Sequence, residues 1–239
     1  MPAANFRTRR AAREAALRFS QQAMSKMPAR PVPFRPEPGW RMRMDLETTL
    51  AQDLCARLCH DLVGPLGTVA GALDMLGEDP EAADLARDAA GEIRRRLKFW
   101  RAACGGGGSA VAVPELAGLL DGMLAGGRAR LELRTLAEDE PIPSPVAQML
   151  LMAALLAGEA LPRGGTVALT QEAEGYTLRP EGRVVNWPAA LLAVLEGQPA
   201  QGPRELPAGM LRRHADAAGW TMELAVREGV LRLRPAIRG

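Results

Sequence analysis

The chain has 239 residues, 47% hydrophobic, 24% charged and only 4% aromatic, enough for one or two domains with a packed core. The net charge of +2 conceals a split: residues 1–44 hold ten basic side chains against Glu14 and Glu37, a local +8, while the remainder carries −6. With no apolar run of about 18 residues, no continuous h-region, three cysteines and two histidines, neither a membrane span, a secretory signal nor a disulfide framework is expected.

A zinc site on Cys55, Cys59 and His60 would need adjacent ligands about 100° apart on one helix, and is set aside. A reducing, cytoplasmic compartment follows from the cysteine usage.

Residues 1–44 read as a basic arm, helical at most from Arg7 to Met27, because prolines at 28, 31, 33, 36 and 38 forbid continuation. Such an arm suits an anionic partner, a transit peptide or a start further in, at Met42 or Met44. From Asp45 the pattern changes. Leucines at 46, 50, 54, 58, 62 and 66, then Val69, Leu73 and Leu76, make one long helical stripe, ended by Gly77 and the EDP run at 78–80. A second helix is predicted from near Pro80, with Leu85, Ala89, Ile93, Leu97 and Trp100 on its stripe, ending at Cys104. Residues 45–104 are thus an antiparallel helical hairpin. It buries too little alone, so two copies are expected to pack as a dimeric four-helix bundle.

A Gly-rich linker at 105–110 leads to a mixed α+β domain over 111–239. Helices are predicted at Pro114–Leu124, Ser144–Leu161 (capped by Ser144), Pro188–Leu195 and Pro207–Ala218. Strands are predicted at Arg128–Leu136 and Thr166–Gln171, then a hairpin through Tyr176–Leu178 and Val184–Trp187, then Trp220–Arg227 and Val230–Arg234 across a Glu228-Gly229 turn. Helices on one face of a mixed sheet make an α+β sandwich.

His60 lies two positions from both Leu58 and Leu62, so it points away from the leucine stripe. Asp53, Arg57, Gly64, Gly67 and Gly71 share its face. Three helical glycines cost about 0.8–1 kcal/mol each relative to alanine, and Pro65 adds to that. A surface so stripped lets another backbone approach His60; a helix that breaks at Gly64-Pro65 is the alternative, although the stripe continues in phase beyond it. Metal binding lacks partners, and no nucleophile elbow exists for a Ser/His/Asp arrangement. A phosphoryl nucleophile needs one free ring nitrogen, with the other held protonated. Asp61 is placed to accept from that second nitrogen, and Arg57 to stabilise phosphoryl oxygens; an ordinary surface pair is the alternative for both.

The segment LCARLCHDLVGPLGTVAGALDML (54–76) resembles the dimerisation and phosphotransfer helix of histidine kinases, where a phospho-accepting His is followed by an acidic residue and, five positions on, a Pro. Here these are His60, Asp61 and Pro65. It is most similar to the ChpT-type histidine phosphotransferases of alphaproteobacterial phosphorelays, which share a Cys-His-Asp-Leu core and a Pro-hydrophobic-Gly run. The resemblance implies a dimeric four-helix bundle followed by a degenerate histidine-kinase ATPase-like α/β sandwich. It implies a catalytic set of His60, Asp61 and Arg57, with Leu62, Val63, Gly64 and Gly67 docking the receiver domain of a hybrid histidine kinase and response regulators. The helix QMLLMAALLAGEALPRGGTVAL (148–169) looks like a kinase asparagine box with Met152 and Leu156 in place of the asparagines. No Asp-x-Gly-x-Gly run follows, and no cofactor is expected beyond magnesium from the partner receiver. Gly64 stands where related helices commonly carry Thr, Asn or Ser, so no polar group is there to position water for a phosphatase. An active histidine kinase and a non-catalytic receiver-binding adaptor are the rival readings, and no direct membrane or nucleic-acid contact is expected. His214, within RRHADAAGW, reads as a solvated structural histidine.

Overall fold

The structure, a computed structural model, describes residues 40–105, 108–124 and 129–236, with side-chain surroundings from residue 47 on. The predicted arm therefore lies almost wholly outside the described residues, as does part of the Gly-rich linker. The chain divides into units 1–45 and 46–239, and the second contains every contact described below. In chain order the elements are α1 (Trp40–Asp74), α2 (Ala82–Cys104), α3 (Val113–Leu124), β1 (Ala129–Arg134), α4 (Ser144–Glu159), β2 (Gly165–Glu172), β3 (Gly175–Glu181), α5 (Ala189–Leu195), α6 (Leu206–Ala218), β4 (Trp220–Ala225) and β5 (Val230–Pro235). The fold is α+β: a helical hairpin, then a five-stranded sheet with helices packed on it.

The helix α1 starts at Trp40, five residues before the expected Asp45, and runs unbroken through Pro65. Proline has no N–H, so the carbonyl four residues earlier loses its helical donor. That carbonyl belongs to Asp61, and the Arg96 guanidinium of α2 donates to it instead. The bond that Pro65 removes within one helix is thereby replaced by a bond between two, and the helix continues.

The buried positions of α1 are Asp61, Pro65 and Ala72, while Leu66, Leu73 and Leu76 are exposed, as are Leu85 and Leu97 of α2. The leucine stripe beyond Leu58 therefore faces outward from the chain. Before it, Leu50, Leu54 and Leu58 pack against the main core. Phe99, Trp100 and Ala103 of α2 lie in that core, so the hairpin and the sheet region share one hydrophobic interior.

The sheet order is β1-β2-β3-β5-β4, with β1 parallel to β2 and the other pairs antiparallel. The core-facing rows follow the period of two, as where Leu133 meets Leu169 and Leu169 meets Leu178. Against them lies α4, buried from Val146 to Ala157 except at Gln148, as a helix apolar on all sides must be. Gln148 donates through Nε2 to the carbonyls of Ala102 and Gly105, which the end of α2 leaves without helical partners. Gly165 (φ +150°) and Gly175 (φ +140°) bring neighbouring strands so close that a Cβ would meet a backbone oxygen at 2.2 and 2.1 Å.

Several expectations are corrected. Ser144 is the first helical residue of α4, behind Pro143, and makes no side-chain cap. The hairpin joins β2 to β3 directly, and residues 184–187 form no strand: the backbone N–H of Asn186 donates to Ala160, which draws the segment off the sheet. The second helix begins at Ala82, because Asp79 caps the Glu81 N–H and holds Pro80 in the turn. His214 is not solvated. Burial lowers its pKa against a hydrogen bond to the Ala103 backbone that raises it, Arg213 lowers it further, and Nε2 is buried with no partner.

A histidine whose folded pKa lies below its unfolded value, about 6.5, binds its proton more readily when unfolded. Its contribution to stability is complete above that value and is lost as pH falls through it. Unfolding midpoints measured from about pH 7.5 down to pH 5 should therefore decline less steeply in His214→Leu than in the wild type.

Candidate functional site

His60 sits in the middle of α1 with its side chain 80% exposed. One residue on, the Asp61 side chain is only 8% exposed. A buried carboxylate is costly unless its oxygens are bonded. Asp61 Oδ2 accepts the indole N–H of Trp100 at 3.1 Å and the Nε–H of Arg57 at 3.3 Å. Its Oδ1 lies 3.3 Å from His60 Nδ1. An ionised carboxylate only accepts, so Nδ1 carries the proton in this contact and Nε2 keeps its lone pair in solvent.

Arg57 is itself mostly covered, its side chain 15% exposed, and its guanidinium carbon stands 6.0 Å from the centre of the Trp100 ring. Its Nε lies 3.3 Å from each Asp61 oxygen and donates to Oδ2, while Nη2 donates to Glu159 Oε1 at 2.9 Å. Burial works to lower the Arg57 pKa, but the charges and hydrogen bonds of Asp61 and Glu159 outweigh it and raise the value. This revises the role given to Arg57: its guanidinium is occupied by two carboxylates and holds Asp61.

On the His60 face, a Cβ added at Gly64, Gly67 or Gly71 would meet nothing within 4 Å. Among the described residues no packing contact requires these glycines. Val63 is 67% exposed, and Leu62 partly buried. Two turns before His60, Asp53 lines a cleft of about 230 Å³ with Leu50, Val194, Leu206, Arg212 and Arg213. Among the described residues no group of three or more His, Cys, Asp or Glu could hold a metal ion. In α4, Met152 and Leu156 are fully buried in the core and offer no oxygen to a nucleotide or its metal.

The structure thus brings together His60, Asp61 and Arg57, adds Trp100 and Glu159, and leaves Val63, Gly64 and Gly67 exposed with Leu62 half-buried beside them. Trp100 was legible only as an apolar stripe position. Glu159 carried a usable signal: a carboxylate in the last turn of a helix opposes the helix dipole, and that turn holds no basic residue.

The described residues thus form a helical hairpin presenting an exposed histidine, joined to a five-stranded sheet with helices packed on it. Their overall shape matches a solved bacterial phosphotransferase at a TM-score of 0.67 and 21% identity, covering 85% of this chain and 98% of that one. The histidine kinase AdeS of Acinetobacter baumannii gives a TM-score of 0.42 at 12% identity, over 75% of this chain and 98% of its own. Residues 113–230 match the family described as histidine phosphotransferase C-terminal domain. The protein phosphotransferase ChpT of Brucella abortus (strain 2308) is 26% identical over 167 residues, 63% of this chain and 76% of that protein. Residues 113–230 thus carry a histidine phosphotransferase C-terminal domain, and the chain is similar to a phosphotransferase of the ChpT type. Within the described residues no helix is long and apolar enough to cross a membrane.

Replacing Trp100 by Phe keeps the ring in the core and deletes the donor to Asp61. The bond to a buried carboxylate is worth about 2 kcal/mol, and denaturant unfolding should show a loss of that size.

Proposed function

We propose that this protein is a phosphorelay intermediate, in which His60 takes a phosphoryl group from the aspartyl phosphate of a hybrid-kinase receiver and passes it to response-regulator aspartates. The observation that carries this reading is the exposed His60 ring with Nδ1 set against the anchored Asp61 carboxylate. In the first transfer the Nε2 lone pair attacks phosphorus, the acyl-phosphate P–O bond breaks, and the receiver aspartate leaves as a carboxylate. The ring becomes a phosphorylated imidazolium that keeps its Nδ1 proton, and its new positive charge lies against Asp61. In the second transfer a regulator carboxylate oxygen attacks phosphorus, the P–N bond breaks, and the electron pair returns to Nε2. No proton has to leave Nδ1 in either step. Magnesium belongs to the receiver's acidic pocket, and this chain contributes no ligand to it.

The bare Gly64, Gly67 and Gly71 face supports docking of a receiver's loops beside His60, with Leu62 and Val63 supplying apolar contact. The cleft lined by Asp53 and Arg212 extends that surface toward α6. The outward apolar row of Leu66, Leu73 and Leu76, with Leu85 and Leu97, supports a homodimer built as a four-helix bundle in the cytoplasm.

Label transfer from a phosphorylated receiver tests the reading. His60→Ala should abolish the acid-labile phosphoprotein and all onward transfer; transfer equal to wild type would sink the proposal. Gly67→Leu gains about 0.8 kcal/mol of helix propensity at a position where an added Cβ meets nothing within 4 Å among the described residues, so the fold should be retained. Transfer should nonetheless slow markedly, and an undiminished rate would remove the steric role of the glycine face.

A further inference from the structure

We propose that Glu159 is a positioning residue for His60, acting through Arg57 and Asp61; the proposal rests on the phosphotransfer reading above. Glu159 ends α4, more than a hundred residues away from α1 in sequence, yet its Oε1 accepts Arg57 Nη2 at 2.9 Å. That contact fixes which edge of the guanidinium faces Asp61. With Nη2 drawn toward Glu159, Arg57 presents only Nε to the Asp61 carboxylate, 3.3 Å from each oxygen and bonded to Oδ2, where the Trp100 indole also donates. No second guanidinium nitrogen is spent on Oδ1, the oxygen that meets His60 Nδ1.

Without the Glu159 carboxylate, a buried guanidinium would have Asp61 as its remaining acidic partner. Arginine and carboxylate favour a two-pronged pairing that uses both oxygens. Arg57 would rotate into that arrangement and take Oδ1 in competition with His60. The imidazole would lose the acceptor that holds its proton on Nδ1, and the tautomer with a protonated Nε2 would grow. In that tautomer the exposed nitrogen has no lone pair for phosphorus.

The placement of Glu159 accords with this role. Its charge opposes the dipole of its own helix, so it carries a local penalty that the Arg57 pair offsets. The preceding Gly158 is pressed against α3, where a Cβ would meet Leu124 Cδ2 at 2.5 Å, which holds the end of α4 in place. The sheet region therefore contributes a charge to the orientation of a histidine on the hairpin.

Nitrogen-detected NMR of the full chain reads the tautomer directly, and the two histidines, His60 and His214, make assignment simple. At about pH 8.5, two units above an ordinary histidine pKa, wild-type His60 should be mainly protonated on Nδ1. Glu159→Gln should shift His60 toward Nε2 protonation while His214 signals stay fixed, and should slow receiver-dependent phosphorylation by about tenfold. Glu159→Asp, with its carboxylate drawn back by one methylene, should fall between and serves if the Gln variant does not fold. In an Arg57→Gln background, Glu159→Gln should produce no further change. An unaltered tautomer in the Glu159 variants, or effects that simply add to those of Arg57→Gln, would overturn the proposal. If the tautomer depends on Glu159 but His60→Ala still transfers phosphate, positioning stands and the phosphotransfer reading falls.

Discussion

The carboxylate of Asp61 is the point on which the hairpin, the core and the candidate site all bear. A buried negative charge persists only where donors meet it, and the donors here come from two helices. Arg57 lies one turn earlier on the same helix, and Trp100 reaches across from α2 with its ring inside the common core. His60 presents Nδ1 from the solvent side. The backbone of the same residue is also held, because Pro65 withdraws its helical donor and Arg96 replaces it. Side chain and main chain of one residue thus tie α1 to α2 at the level of the exposed imidazole.

This arrangement explains how a solvent-exposed histidine can be held without being buried. Among the described residues the ring has one hydrogen-bonding partner, and that carboxylate is itself held by Arg57 and Trp100. Rigidity is borrowed from the core through Trp100, whose edge-to-face packing with Phe99 at 5.6 Å sets the indole plane. The sheet region stabilises the hairpin in the same way. The wholly apolar α4 anchors the interior, its Gln148 closes the end of α2, and its last residue reaches Arg57. Met152 and Leu156 of this helix are fully buried, and the helix serves as support.

The hairpin, the sheet elements and their order along the chain were largely legible, because hydrophobic periods of 3.6 and 2 are written into the residues. The failures have specific physical causes. Val184–Trp187 is apolar enough for a strand, but a single bond from Asn186 to Ala160 takes it elsewhere. Ser144 has the chemistry of a cap, yet Pro143 already occupies that position. His214 sits among arginines in sequence and against Ala103 in space, a long-range contact that no local pattern encodes.

The sequence by itself determined that His60 leaves the leucine stripe, that a bare glycine face surrounds it, and that Asp61 and Arg57 stand within one turn. These are consequences of helical geometry, which depends only on spacing. Tertiary structure decided what those neighbours do. Arg57 is engaged by a carboxylate at the end of a helix a hundred residues away, and Asp61 is met by an indole on another helix. Both outcomes depend on which long-range donor reaches a buried charge first and with what geometry, and that is settled only when the core has packed.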